Sequence, residues 1–399
     1  MAALEEFRLE TRAWLKENCP DGARGPGEIH TGSTKRTIEH ADTQRWMEVM
    51  AERGWTVPTW PTEYGGGGLS TDEAIVLAEE MQAIDARAPL LNMGTRMLGP
   101  TLLEYGSEAQ KERHLRRIAL GQVAWCQGYS EPGAGSDLAG LSTRAVDNGD
   151  HYLVNGQKTW TSGGQFADWM FCLVRTDPDA PKHQGISFLL FPMDQDGITV
   201  RPIELISGSS PFCETFLDNA VAAKDDLVGT LNDGWTVGKR LLQHERSGQG
   251  GLGTTAQPRA PVGVTIDLDL ADVARDYVGV RDGRIAEPSA RDTVLQWKMR
   301  NVAFGLTRRR AGEELSSGGT PGAATSIFKY IGSSLAQDRQ ELTSELMGAQ
   351  GYGWEGEAFT EDERGATRSW LSSKAVTIYG GTNEVQLNII AKRVLGLPD

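Results

Sequence analysis

The chain has 399 residues, of which 39% are hydrophobic, enough for a large core spread over two or three domains and too apolar for a disordered chain. Its formal net charge of −14 argues against nucleic acid or an anionic membrane as the main partner, since neither is attracted to such a surface. No run of about 18 apolar residues appears, which excludes a spanning helix.

From Leu4 to about Leu120 the apolar spacing is helical, as in Ala74-Ile-Val-Leu-Ala-Glu-Glu-Met81. A turn-rich break is predicted at Cys19 to Ser33, and a second at Pro58 to Leu69, where prolines and four consecutive glycines punctuate the chain. The N-terminus reads as an amphipathic helix, with neither an apolar signal core nor an Arg-rich presequence. Near Val123 the texture changes to short β-rich runs, His151 to Gly156, Trp169 to Arg175, Gly185 to Phe191 and Gly197 to Pro202. Asn155-Gly156 is a hairpin signal, and the spacing predicts an antiparallel β domain ending near Gly229. Helical periodicity returns after Asn232 and continues to the end, with breaks expected at Gly248 to Val264 and Gly312 to Ala323. The last helix is predicted to start at Thr382-Asn383 and to stop at Gly396-Leu-Pro398. The fold class is therefore α+β, with a helical domain over 1–122, a β domain over 123–231 and a helical domain over 232–399.

The four cysteines, Cys19, Cys126, Cys172 and Cys213, are scattered without metal-ligand spacing and read as reduced thiols of a cytoplasmic protein.

Three segments carry the chemistry. Tyr129-Ser-Glu-Pro-Gly-Ala-Gly-Ser-Asp137 is a tight turn rich in backbone amides and hydroxyls, suited to a flat polar ring system and its phosphate. Lys158-Thr-Trp-Thr-Ser162 adds an indole face and further hydroxyls. Ile378-Tyr-Gly-Gly-Thr-Asn-Glu384 is a glycine-rich loop that runs into an apolar helix. In this order and at these separations they resemble the acyl-CoA dehydrogenase family, over nearly the whole chain.

The resemblance implies an N-terminal helical domain, a middle β domain and a C-terminal helical bundle. It also implies FAD, an acyl-CoA substrate, and an electron-transfer flavoprotein as electron acceptor. Tyr129, Ser130, Gly135 and Ser136 match positions along the flavin edge, Trp160 the position that covers the dimethylbenzene side, and Ser162 a contact near N5. Ser136, Tyr379, Gly380 and Arg246 match positions that face the substrate. Thr382 and Glu384 match contacts to the diphosphate and adenine, and Glu345 to Tyr352, with Gly348, matches a contact made to a neighbouring subunit's FAD. Glu345 stands where glutamine is usual, and the family's Arg-x-x-Phe-Gly contact is missing, with Arg284 or Arg291 as substitutes. A tetramer follows, of identical chains or of two related ones. A polyanionic CoA must be held by local basic groups and helix ends, against the global charge.

Removal of an α-proton requires a carboxylate. Where many members of the family carry it, after the tyrosine of the loop, this chain has Gly380. Members acting on branched or long chains take it instead from a sequence such as Leu-x-x-Glu-Arg, matched here by Leu241-Leu-Gln-His-Glu-Arg246. Independently, Val237, Leu241, Glu245 and Gly248 recur at helical spacing, which puts Glu245 on an apolar stripe. A carboxylate there is costly unless it is functional or paired with another helix. The expected activity is α,β-dehydrogenation of a bulky or branched acyl-CoA with Glu245 as base. Competing readings are nitroalkane oxidase or flavin monooxygenase chemistry on the same fold, or a noncatalytic subunit that completes a partner's FAD site.

Overall fold

The computed structural model describes residues 2–250, 268–316 and 326–398, with side chains for all of these except 2, 245–250, 315 and 316. They fall into two compact units, one of residues 2–203 and 212–250, the other of 204–211, 268–316 and 326–398.

The first unit opens with α1 (Ala2–Asn18), α2 (Ala41–Glu52), α3 (Thr71–Ala83), α4 (Gly99–Tyr105) and α5 (Glu108–Ala119). Ser70 with Glu73 and Ser107 with Gln110 form reciprocal capping boxes that start α3 and α5. The break after α1 reaches His40, further than the predicted Ser33. The glycine loop before α3 folds tightly: a Cβ on Gly66 would lie 2.2 Å from the Trp60 carbonyl oxygen. Only glycine fits there.

Eight strands follow: β1 (Trp125–Gly128), β2 (Arg144–Asp147), β3 (His151–Ser162), β4 (Trp169–Arg175), β5 (Ile186–Pro192), β6 (Ile198–Ile203), β7 (Phe212–Ala223) and β8 (Leu227–Val228). They form one sheet in the order β6-β7-β3-β2-β4-β5-β8, with β1 beside β4. The sheet is mostly antiparallel, but β1 runs parallel to β4, and Arg144 of β2 pairs in parallel with Arg175. The β2–β3 hairpin reverses the chain once and the turn at 163–168 reverses it again, so β4 returns in the direction of β2. Asn155-Gly156 is not a turn. Both residues lie inside β3, where Gly156 sits at a register irregularity against β7 and Asn155 exchanges hydrogen bonds with Asn219. The reversal comes earlier, at 148–150, where Gly149 has φ of +91°.

One sheet face, with Trp125, Phe171, Leu173 and Phe188, packs in a common core with Leu102, Leu115 and Ile118 of the helices and with Val237 and Leu241 of α6 (Gly234–Gly250). The opposite face, with Cys126, Met170, Cys172 and Phe191, has its own core. All four cysteines are buried free thiols.

The second unit contains α7 (Leu270–Tyr277), a short hairpin of β9 (Val280–Arg281) and β10 (Arg284–Ile285), then α8 (Pro288–Ser316), α9 (Ser326–Met347), α10 (Glu361–Ser373) and α11 (Asn383–Ile389). Leu270, Ala274, Val294, Trp297 and Leu335 form its core. The hairpin turns on Asp282-Gly283, both with positive φ, in an otherwise helical segment. The two expected breaks begin later than predicted, since α6 continues through Gly250 and α8 through Gly312 to Ser316; their remainders lie outside the described residues. Thr382 caps α11, its hydroxyl accepting from Val385 N at 3.2 Å, and Gly396 takes φ of +65° beyond the last turn. Among the described residues no helix is long and apolar enough to cross a membrane.

Candidate active site

Tyr129 follows β1 and sends its ring into the core, edge-on to Phe171 at 6.1 Å and Phe188 at 6.4 Å. It offers a ligand only its main chain. The next residues close a reverse turn through mutual backbone hydrogen bonds between Glu131 and Ala134, at 3.0 and 3.1 Å. Beyond this turn the surface is open: no atom lies within 4 Å of a Cβ position on Gly133 or Gly135, and Ser136 is exposed. Amides and hydroxyls of the turn thus stand ready for a flat polar ligand.

β3 lies against the turn, Thr159 N donating to Ser130 O at 2.8 Å. Trp160 is 55% exposed, edge-on to Phe212 at 6.1 Å, and its φ is +59°. An ordinary core tryptophan has neither property. A bulky residue in the left-handed region is strained, and strain of this kind gathers at ligand sites. Ser162 is half-buried two residues further, paired with Phe212 of β7. The exposed indole and the open turn together fit the isoalloxazine ring expected from the sequence.

Behind these segments is an ion pair that sequence reading did not single out. Lys158 is 0% exposed and Glu131 6%. Lys158 Nζ donates to Glu131 Oε1 at 2.8 Å, to Leu173 O at 2.8 Å and to Tyr129 O at 3.2 Å. Glu131 also accepts from Ser142 N, Ser142 Oγ and Thr143 N at 2.7 to 2.9 Å. The available signal was one lysine and one glutamate inside the two motif segments themselves.

α6 packs in this unit with Val237 and Leu241 buried, and a Cβ on Gly238 would be 3.4 Å from the Tyr129 hydroxyl. Glu104 of α4 holds the helix, accepting from Arg240 Nε and Nη2 at 2.7 Å each, with His244 Nε2 at 3.2 Å. Burial, helped by Arg240, pushes the His244 pKa down, which favours the neutral ring. Glu245 lies on α6 one turn past Leu241; its side chain and that of Arg246 are outside the described residues.

In the second unit, Tyr379 is half-buried, with Lys329 Nζ 4.9 Å from its ring centroid, and Lys329 also donates to Val376 O. Gly380 and Gly381 have φ of +66° and +90°. Glu384 is exposed in the first turn of α11, beside the Thr382 cap. Glu345 is exposed near the end of α9, and Gly348 follows at φ of +59° with open space around its Cβ position. Arg284 is exposed on β10, whereas Arg291 Nη1 donates to Ile285 O at 3.1 Å.

Three domain profiles match the chain: acyl-CoA dehydrogenase N-terminal domain over residues 3–122, middle domain over 126–220 and C-terminal domain over 232–395. Acyl-CoA dehydrogenase IpdE1 of Mycobacterium tuberculosis is 37% identical over 405 residues, covering 100% of this chain and 99% of that protein. A solved structure described as the Tcur3481-Tcur3483 steroid acyl-CoA dehydrogenase is 31% identical with a TM-score of 0.76, covering 100% of this chain and 98% of that one. The ChsE4-ChsE5 complex from Mycobacterium tuberculosis gives 28% identity and a TM-score of 0.75, over 100% of this chain and 98% of that one. With every domain matched in order, this chain belongs to the acyl-CoA dehydrogenase family of FAD-dependent oxidoreductases.

Proposed function

We propose that the protein dehydrogenates the Cα–Cβ bond of a bulky acyl-CoA, with Glu245 as the base that takes the α-proton, and passes electrons to an electron-transfer flavoprotein. One contrast carries this reading: the Gly380-Gly381 loop has no carboxylate and left-handed backbone at both residues, while α6 supplies a buried Val237–Leu241 stripe that leads to Glu245. FAD supplies the acceptor for the β-hydride. Trp160 gives the flavin ring an aromatic face. Main-chain groups of Tyr129 and Gly135, with Ser130, Ser136 and Ser162, donate hydrogen bonds toward the ring, where negative charge develops on reduction. Ser136, Arg246, Tyr379 and Gly380 border the acyl thioester. Thr382, Glu384, Glu345, Gly348 and either Arg284 or Arg291 serve the adenosine end, some of them in a neighbouring subunit.

Glycine at 380 leaves volume for a large acyl group, whereas the space beside Gly381 is taken by Gln386, whose Nε2 would be 2.7 Å from a Cβ there. The steroid designation of a 31% identical relative supports a polycyclic substrate. That ChsE4 and ChsE5 form a complex supports assembly with a related, nonidentical subunit. Four buried free thiols agree with a reducing, cytoplasmic setting.

Anaerobic stopped-flow reduction of the flavin by a panel of acyl-CoA thioesters, from butyryl to steroid side-chain forms, tests the reading. Glu245→Gln should retain FAD and slow reduction by roughly 10² to 10⁴, the usual loss of general-base catalysis. Gly380→Ala should act mainly on folding, by about 1 kcal/mol for a Cβ in left-handed backbone. Reduction of Glu245→Gln at the wild-type rate would refute the base, whereas no reduction of wild-type flavin by any thioester would favour the noncatalytic-subunit reading.

A further inference from the structure

A strand alternates its side chains between two faces, so Lys158 and Trp160 should share one. They do not: Lys158 is fully buried, Trp160 exposed and Thr161 buried again. The register explains the switch. Lys158 pairs with Thr215 and Thr161 with Cys213, so β3 carries one residue more than β7 across this interval. This is a bulge, and bulges re-aim side chains. It begins at the residue whose ammonium is held by Glu131, Tyr129 and Leu173. Through Glu131 the same ammonium is tied to Ser142 and Thr143, which receive the chain as it leaves the Ser130–Ser136 turn.

Stability alone is a poor account of such a pair. Buried ion pairs replaced by apolar residues of similar volume often leave a protein equally stable or more so, and their best-attested use is to specify one arrangement. Here the arrangement specified joins the two segments that face the ligand.

We propose that Glu131 and Lys158 are positioning residues of the flavin site. Their ion pair fixes the register of the β3 bulge against the 129–137 turn, and so holds Trp160 outward in its left-handed conformation beside the Ser130 and Ser136 donors. The inference rests on the reading that the flavin ring lies against Trp160, and goes beyond it in assigning what places Trp160 there.

The test is FAD binding by the full-length apoprotein, read as quenching of flavin fluorescence, with visible circular dichroism of the bound flavin and thermal unfolding of the apoprotein. The double variant Glu131→Leu, Lys158→Met should unfold cooperatively within a few degrees of wild type. It should nevertheless bind FAD about tenfold more weakly, the scale of one lost aromatic contact, with an altered flavin dichroism. Wild-type affinity and dichroism in a folded double variant would overturn the inference. Trp160→Ala separates the two layers: if it leaves affinity untouched, the flavin-face reading itself fails, and if it weakens binding while the double variant does not, only the positioning role fails. Should the double variant not fold, Glu131→Asp decides, since it keeps the charge and shortens the reach by one methylene. It should stay folded with weaker binding and changed dichroism, and no change in either would overturn the proposal.

Discussion

Glu131 shows how a single carboxylate can be dominated by its partners. Burial acts to raise its pKa, but the charge of Lys158 and hydrogen bonds from Lys158, Thr143 and Ser142 outweigh it and hold the group at about 2, against an ordinary 4.5. A depressed folded pKa means stability that is present above the unfolded value and lost as pH falls through the folded one. The thermal midpoint of the apoprotein should therefore drop between about pH 4.5 and 2 more steeply in wild type than in the Glu131→Leu, Lys158→Met variant. Calorimetry at stepped pH would read this, and parallel curves would contradict it. At this scale the sequence was only partly legible. Trp160 could be chosen for its neighbours, but its orientation depends on a bulge that strict alternation cannot anticipate. Lys158 and Glu131 drew no notice because charged residues usually sit on solvated surface, and only tertiary placement shows that these two do not.

Among the elements, β3 carries most of the positional information. A Cβ on Gly156 would stand 2.5 Å from Thr143 Oγ1 and 2.8 Å from Thr143 Cα, so the obstacle includes the backbone of the neighbouring segment. Gly156→Ala should push β3 away from Thr143 and cost about 1 to 3 kcal/mol, typical of overpacking. Thermal or urea denaturation of the variant would show the loss, and an unchanged midpoint would mean that the segments yield without strain. Periodicity identified the helical stretches, β4, β5 and β6 and the start of the last helix at its Thr382 cap, but not the division of those stretches into separate helices. The dipeptide Asn155-Gly156 misled, since glycine serves bulges as well as turns. Asp282-Gly283, a true hairpin turn with both residues left-handed, was hidden by flanking strands of two residues each. Such strands are too short to show alternation.

At the scale of the whole molecule, one surface feature among the described residues lies on α8. Leu295, Met299, Val302 and Leu306 recur at i, i+4, i+7 and i+11 and are all exposed, Val302 by 61%. Exposed apolar stripes of this length favour association over solvent, so this face is expected to be a subunit contact. Val302→Glu removes nothing from the core, so the folded chain should keep its thermal midpoint, and if the chain assembles through this stripe its mass by light scattering should fall below that of the wild type. FAD affinity should fall with it if a neighbouring subunit completes the adenosine site. An unchanged mass would place the subunit contact elsewhere. Family membership could be read from three short segments, but an assembly is set by two surfaces at once, and one sequence supplies only one of them.

The Glu131–Lys158 pair also bears on how this protein can change over time. Removing either partner alone strands a charge in the interior, typically at 3 to 5 kcal/mol, which is a large share of the roughly 5 to 15 kcal/mol that keeps a protein folded. Replacing both together need not destabilise at all. The two positions are thus separated from their apolar alternatives by a valley that single substitutions cannot cross cheaply, and drift at either site should be arrested until both change in one step.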